Sequence, residues 1–185
     1  MSVKIEKLVF VFLIVLSALF AAFLAYGRSE AQHPVFIFAY GGNLEKATFS
    51  SRSGGFENAA PAKLEGFALA FQSNKNSEFG VANIVALDGG EVAGAVYTVS
   101  YEQARALDSE MGVPGFYRRM GVKATLPDGK TIDVQTYALA GDAHAAPPSR
   151  PTMEAAAKGL SQFGWGADEE NALAGAAKSA AAGNN

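Results

Sequence analysis

The chain contains no cysteine in 185 residues, which excludes disulfide scaffolds, thiol nucleophiles and zinc sites built on thiolates. It has two histidines, His33 and His144, too few for a His-rich metal centre and poor material for a Ser-His-Asp triad. No metal and no cofactor is expected. Positive charge is not in excess: 15 Lys and Arg face 18 Asp and Glu, a formal net charge of −3. That balance lacks the basic face of a nucleic-acid binder, so no nucleic-acid partner is expected. No internal repeat occurs. Apolar residues, in contrast, are plentiful. Hydrophobic residues make up 49%, with 13 Phe and 6 Tyr, ample for a packed core and incompatible with a wholly disordered chain. The length suits one domain with an appendage.

The appendage is N-terminal. Leu8 to Tyr26 is a run of 19 residues without a charge, and Ser17 is its one clearly polar member. As a helix it would reach roughly 28 Å, close to the hydrocarbon thickness of a bilayer. With no polar face, it does not fit the side of a small soluble core. Lys4 and Lys7 precede the run and Arg28 follows it, which favours the N-terminus inside. The expectation is a single-pass transmembrane helix, with residues 1–33 as anchor and linker and residues 8–26 in lipid. The globular part then lies in the periplasm or another extracytoplasmic space. Ser17, Ala18, Ala21, Ala22 and Ala25 would allow close approach of other transmembrane subunits. The alternative is a signal peptide cut at Ser29-Glu30-Ala31, leaving a secreted chain.

From Pro34 onward short apolar runs are broken by Gly and Asp. Val35–Tyr40, Ala62–Gln72, Ala82–Leu87, Glu91–Val99, Phe116–Leu126 and Thr131–Ala140 read as strands. Asp88-Gly89-Gly90 and Pro127-Asp128-Gly129-Lys130 carry the residues of hairpin turns. Tyr101–Met111 reads as a helix capped by Ser100, with Ala104, Leu107 and Met111 on one face. Pro151–Phe163 reads as a second helix with Ser149 or Thr152 near its cap. Ala167–Asn185 starts as a helix with the ordinary solvated pair Glu169-Glu170 and passes into an Ala-rich polar tail at residues 176–185. The expected class is α+β: a small mixed or antiparallel β-barrel of about six strands with flanking helices, spanning residues 34–175.

One segment carries a chemical signal. Phe38-Ala39-Tyr40-Gly41-Gly42-Asn43-Leu44 sets two glycines directly after an apolar strand, a turn able to aim backbone N–H groups into one concavity. Matching segments follow in order: Leu64-Glu65-Gly66-Phe67, Ala82-Asn83-Ile84-Val85, Val92-Ala93-Gly94-Ala95-Val96-Tyr97, Leu107-Asp108, Gly112-Val113-Pro114, Tyr117-Arg118-Arg119, Thr136-Tyr137 and Pro148-Ser149-Arg150. Together they resemble the γ-glutamyl cyclotransferase family of AIG2-like fold, from about Val35 to Leu173, with Gly42 where the family usually has Ser. The resemblance implies a closed barrel and a cofactor-free reaction. In it the α-amino group of a γ-glutamyl compound attacks its own γ-carbonyl, releasing an amine and 5-oxoproline. It also implies substrate contacts at Ile37, Phe38, Ala39, Tyr40, Gly41, Gly42 and Tyr137.

The family's general base is the Glu of a Leu-Asp-x-x-Glu-Gly pattern. Here the same stretch reads Leu107-Asp108-Ser109-Glu110-Met111-Gly112, in register on both sides, so the base position is Met111. A thioether does not take up that proton. Glu110 stands next door, but one residue along a helix turns a side chain by about 100°. The first reading is therefore a membrane-anchored, catalytically impaired domain that binds a γ-glutamyl small molecule or serves as an accessory subunit of a membrane complex. The alternative is an active γ-glutamyl cyclotransferase with Glu110 as base. Tyr117, Arg118 and Arg119 are candidates for a carboxylate clamp; on a strand, Arg118 and Arg119 point to opposite faces, so at most one can serve, and an ion pair is the competing role. Asp108 is read as a local cap or pairing group.

Overall fold

The computed structural model describes residues 12–23, 33–75 and 77–183, and the chain divides into two compact units, residues 1–33 and 34–185. In the first unit residues 12–23 are helical with exposed apolar side chains. No helix among the described residues is long and apolar enough to cross a membrane. The remainder of the apolar run, its charged flanks and the cleavage site at 29–31 lie outside the described residues.

The second unit is built on six strands: β1 Val35–Ala39, β2 Asn58–Ser73, β3 Val81–Val99, β4 Tyr117–Thr125, β5 Thr131–Leu139 and β6 His144–Ala145. The order β3-β1-β5-β4-β2 closes through β2–β3 pairing, making a five-stranded barrel, and β6 adds to the outer edge of β2. The sheet is mixed because β1 pairs in parallel with β5, while the other strand pairs are antiparallel. The hairpin at Pro127–Lys130 forms as expected, with Leu126 N–H donating to Lys130 O at 2.9 Å and the Asp128 carboxylate accepting from Lys130 N–H at 3.0 Å.

The second expected hairpin does not form. Ala82–Leu87 and Glu91–Val99 both pair antiparallel with β2, so they run in one direction as halves of a single strand. Register passes from Glu65↔Glu91 to Phe67↔Ala86. Residues 87–90 are thus an enlarged bulge, with Gly89 at φ +70, of the kind that bends a strand into a barrel. The strand count is still six because β6 replaces the lost one.

Four helices cover the barrel: α1 Lys46–Ser53, α2 Tyr101–Glu110, α3 Arg150–Gln162 and α4 Ala167–Ala182. A 3-10 turn, Gly41–Leu44, joins β1 to α1. Ser100 and Gln103 cap α2 reciprocally, a capping box. Ser149 caps α3, with Pro151 in the first turn. α4 continues to Ala182, past residue 176 where the composition suggested a tail, because Ala is the strongest helix former and Ala180 packs into the core.

Tyr97 on β3, 0% exposed, ties helices to barrel. Its ring stacks on Phe49 of α1 at 3.8 Å and meets Phe56 and Phe163 edge-on, arrangements worth about 0.5–1.5 kcal/mol each beyond area burial. Its hydroxyl donates to Leu44 O at 2.8 Å. Tyr117 donates to Ala82 O at 2.9 Å and Tyr40 to Tyr137 O at 2.6 Å. On the other side of the turn Gly159 of α3 lies so close that a Cβ there would stand 2.7 Å from Glu45 N and 2.8 Å from Leu44.

Gly159→Ala should lower stability by about 1–3 kcal/mol, since backbone must give way. Gly175→Ala on α4, which meets open space, should raise it by about 0.5–1 kcal/mol. Thermal melts of the pair should move in opposite directions. Burial pushes the phenol pKa values of Tyr40, Tyr97 and Tyr117 upward, so the folded chain keeps protons that the unfolded chain releases near pH ~10. The stabilisation they carry is whole below that pH and is lost above it. Denaturation midpoints should therefore fall beyond about pH 10, with tyrosinate absorbance from these three rings appearing together with unfolding.

Candidate active site

A cavity of about 420 Å³ opens where β1 leaves the barrel. The 3-10 turn forms one side, α1 and the C-terminal end of α2 another, and the start of α3 a third. Of the residues singled out in the sequence, Ile37, Phe38, Ala39, Tyr40, Gly42 and Tyr137 line it. Gly41 does not. Its φ of +57 takes the chain around the corner, and a Cβ on it would stand 2.3 Å from that of Ala82. Its contribution is to the turn, and its position faces the packing between barrel and helices.

Tyr137 presents its ring to the cavity while its hydroxyl is committed elsewhere. The hydroxyl donates to Asp108 Oδ1 at 2.8 Å, and Asp108 Oδ2 pairs with Arg119 at 3.0 Å. Burial, reinforced by the bond to Asp108, raises the Tyr137 pKa far above the ordinary phenol value, so this group stays protonated and is no general base near neutrality. Arg119 is thereby used in the local ion pair, and neither it nor Arg118 lines the cavity. Tyr117 lines it and donates to Ala82 O. Its pKa is pushed up by burial, against the opposing charge of Arg52.

The orientation of position 111 is decided by helical register. Met111 N–H donates to Leu107 O at 2.8 Å, and Met111 keeps helical angles at the end of α2. Met111 therefore follows Ala104 and Leu107 on the inner face and is only 5% exposed. Glu110, one position back, is exposed but reaches the cavity rim. Around the Met111 sulfur the neighbours are polar. Asn43 Nδ2 donates to Sδ at 3.3 Å, Arg52 Nη1 lies 3.9 Å from Sδ, and the same Nη1 donates to Asn43 Oδ1. A weak sulfur acceptor thus occupies a place with two good donors.

Asn43 and Arg52 were not among the expected site residues. Asn43 stood in the recognised turn motif. Arg52 carried no local signal, because its place beside Met111 arises only when α1 and α2 pack together. His144 forms part of β6 opposite Ser73, and His33 is exposed. Among the described residues no group of three or more His, Asp and Glu side chains could hold a metal ion.

Comparison with known proteins agrees with this architecture. A solved structure of a gamma-glutamyl cyclotransferase is similar at 27% identity and a TM-score of 0.70, covering 77% of this chain and 87% of that one. An uncharacterized human protein is similar at 27% identity and a TM-score of 0.68, covering 77% and 88%. A yeast gamma-glutamyl cyclotransferase specific to glutathione shares the fold at 13% identity and a TM-score of 0.55, over 80% and 96%. No curated protein is a significant match to the chain. The family model for gamma-glutamyl cyclotransferase, AIG2-like, matches residues 37–155. Those limits, Ile37 and Ala155, are also the first and last residues of the cavity wall, and the chain belongs to that family.

Proposed function

We propose that this chain is a membrane-anchored γ-glutamyl cyclotransferase-like domain that binds a γ-glutamyl small molecule and turns it over poorly or not at all, acting as a binding or accessory subunit. The observation that carries the reading is the inward-facing Met111 at the family's base position. In the family reaction the nucleophile is already tethered to the electrophile. Protein must fold the substrate, take a proton from its α-amine and stabilise the developing oxyanion. The cavity and its turn are retained for holding a ligand. The proton acceptor is missing, a loss of roughly 10²–10⁴ in rate.

The anchor rests on the uncharged run at residues 8–26 and on the exposed apolar side chains of its described part, including Phe12, Leu16, Phe20 and Phe23. On this reading residues 8–26 contact lipid or other transmembrane subunits, and the folded domain is extracytoplasmic. A second reading, an active enzyme using Glu110, is supported by that carboxylate's place on the cavity rim.

Release of 5-oxoproline from a panel of γ-glutamyl amides separates the two. The wild-type chain should be silent and Met111→Glu should gain activity, by about 10²-fold or more over the wild-type level. Wild-type turnover that disappears in Glu110→Gln would establish the second reading instead.

A further inference from the structure

The thioether at position 111 leaves a cation of the cavity wall beside a weak acceptor. Among the described residues Arg52 is the one cationic side chain on its wall, and Glu110 at the rim is the one acidic side chain. Among the described residues Arg52 has no carboxylate within ion-pair distance. A guanidinium carries five N–H donors, and this one donates to the Asn43 amide oxygen and lies against a thioether. Asn43 in turn spends its own N–H₂ on the same sulfur at 3.3 Å. Asn43 holds Arg52 in place through Oδ1 and keeps its donors facing Met111. Donors from α1 and from the turn thus converge on an atom that accepts weakly, at the wall of an open cavity of about 420 Å³. Methionine has three rotatable side-chain bonds and yields space readily.

We propose that the vacated base position is an anion subsite, where a carboxylate carried by the ligand lies against Arg52 and the Asn43 amide beside Met111. The preferred ligand is a small acid whose own charge replaces that of the missing glutamate side chain. Neutral γ-glutamyl-sized molecules lack this anchor. A guanidinium fork suits a planar carboxylate in two parallel bonds, and Arg52 is exposed while Met111 beside it is buried, so a ligand's carboxylate can reach the guanidinium from solvent. The proposal rests on Met111 standing at the base position, as argued above.

The test uses the full-length chain in detergent micelles, titrated with glutarate and with its uncharged analogue glutaramide. Binding is followed by NMR through the Met111 methyl and the Asn43 side-chain amide. Glutarate should shift both signals, and glutaramide should bind about tenfold more weakly or less. Arg52→Gln should lose about tenfold in glutarate affinity. Met111→Glu, which puts a carboxylate of the chain's own on the same donors, should lose a similar factor while melting as a folded protein. Arg52→Lys should fall between wild type and Arg52→Gln. Absence of glutarate binding, equal affinity for the two probes, or wild-type affinity in Arg52→Gln or in Met111→Glu overturns the subsite. Gain of 5-oxoproline release by Met111→Glu is a separate readout. Its failure with glutarate binding intact would overturn the impaired-enzyme reading alone, and its success without glutarate binding would overturn the subsite alone.

Discussion

The turn Gly41–Leu44 is clamped from three directions, and the cavity exists because of that clamp. Ala82 packs so closely on Gly41 that no side chain fits between them. The Tyr97 hydroxyl holds Leu44 O at 2.8 Å, and Gly159 brings the backbone of α3 against Leu44 and Glu45. Lys158 of α3 pairs with Glu45, and Gln162 accepts from Lys46 N–H at 2.9 Å. Each contact joins elements far apart in sequence, so the turn is positioned by closure of the whole barrel. Once β1 is forced to end there, Gly42 and Asn43 face the opening and α1 is directed toward α2.

The meeting of α1 and α2 then determines the chemistry at the wall. A capping box starts α2 at Ser100, and Ala104 and Leu107 are buried against the core. With both ends of the register held, position 111 points inward and position 110 does not. At that inward position stands a thioether, an apolar, polarizable group. The donors supplied by Asn43 and Arg52 remain. Good donors thus face a weak acceptor at the cavity wall.

Much of the fold was legible because its signals are local. Alternation marked the strands, Pro127-Asp128-Gly129-Lys130 marked a turn with its own internal hydrogen bonds, and Ser100 and Ser149 marked helix starts. Asp88-Gly89-Gly90 misled for a physical reason. A residue with positive φ serves a hairpin and a bulge equally well, and only pairing of both flanks with β2 separates them. The Ala-rich end read as a tail because it lacks a continuous apolar stripe, yet Leu173 and Ala180 suffice to dock it.

At the site, the thioether at position 111 is read directly from the sequence, between Leu107 and Pro114. The turn that lines the cavity was visible in the same way. Which side chains surround Met111 was not, because Asn43 and Arg52 lie 68 and 59 residues away along the chain. Tyr137 was named as a substrate contact, but only the packing of α2 on the barrel commits its hydroxyl to Asp108. The sequence by itself determined that a thioether, and no carboxylate, stands at position 111. Tertiary structure decided what surrounds it, because donors from separate elements converge only when the barrel closes.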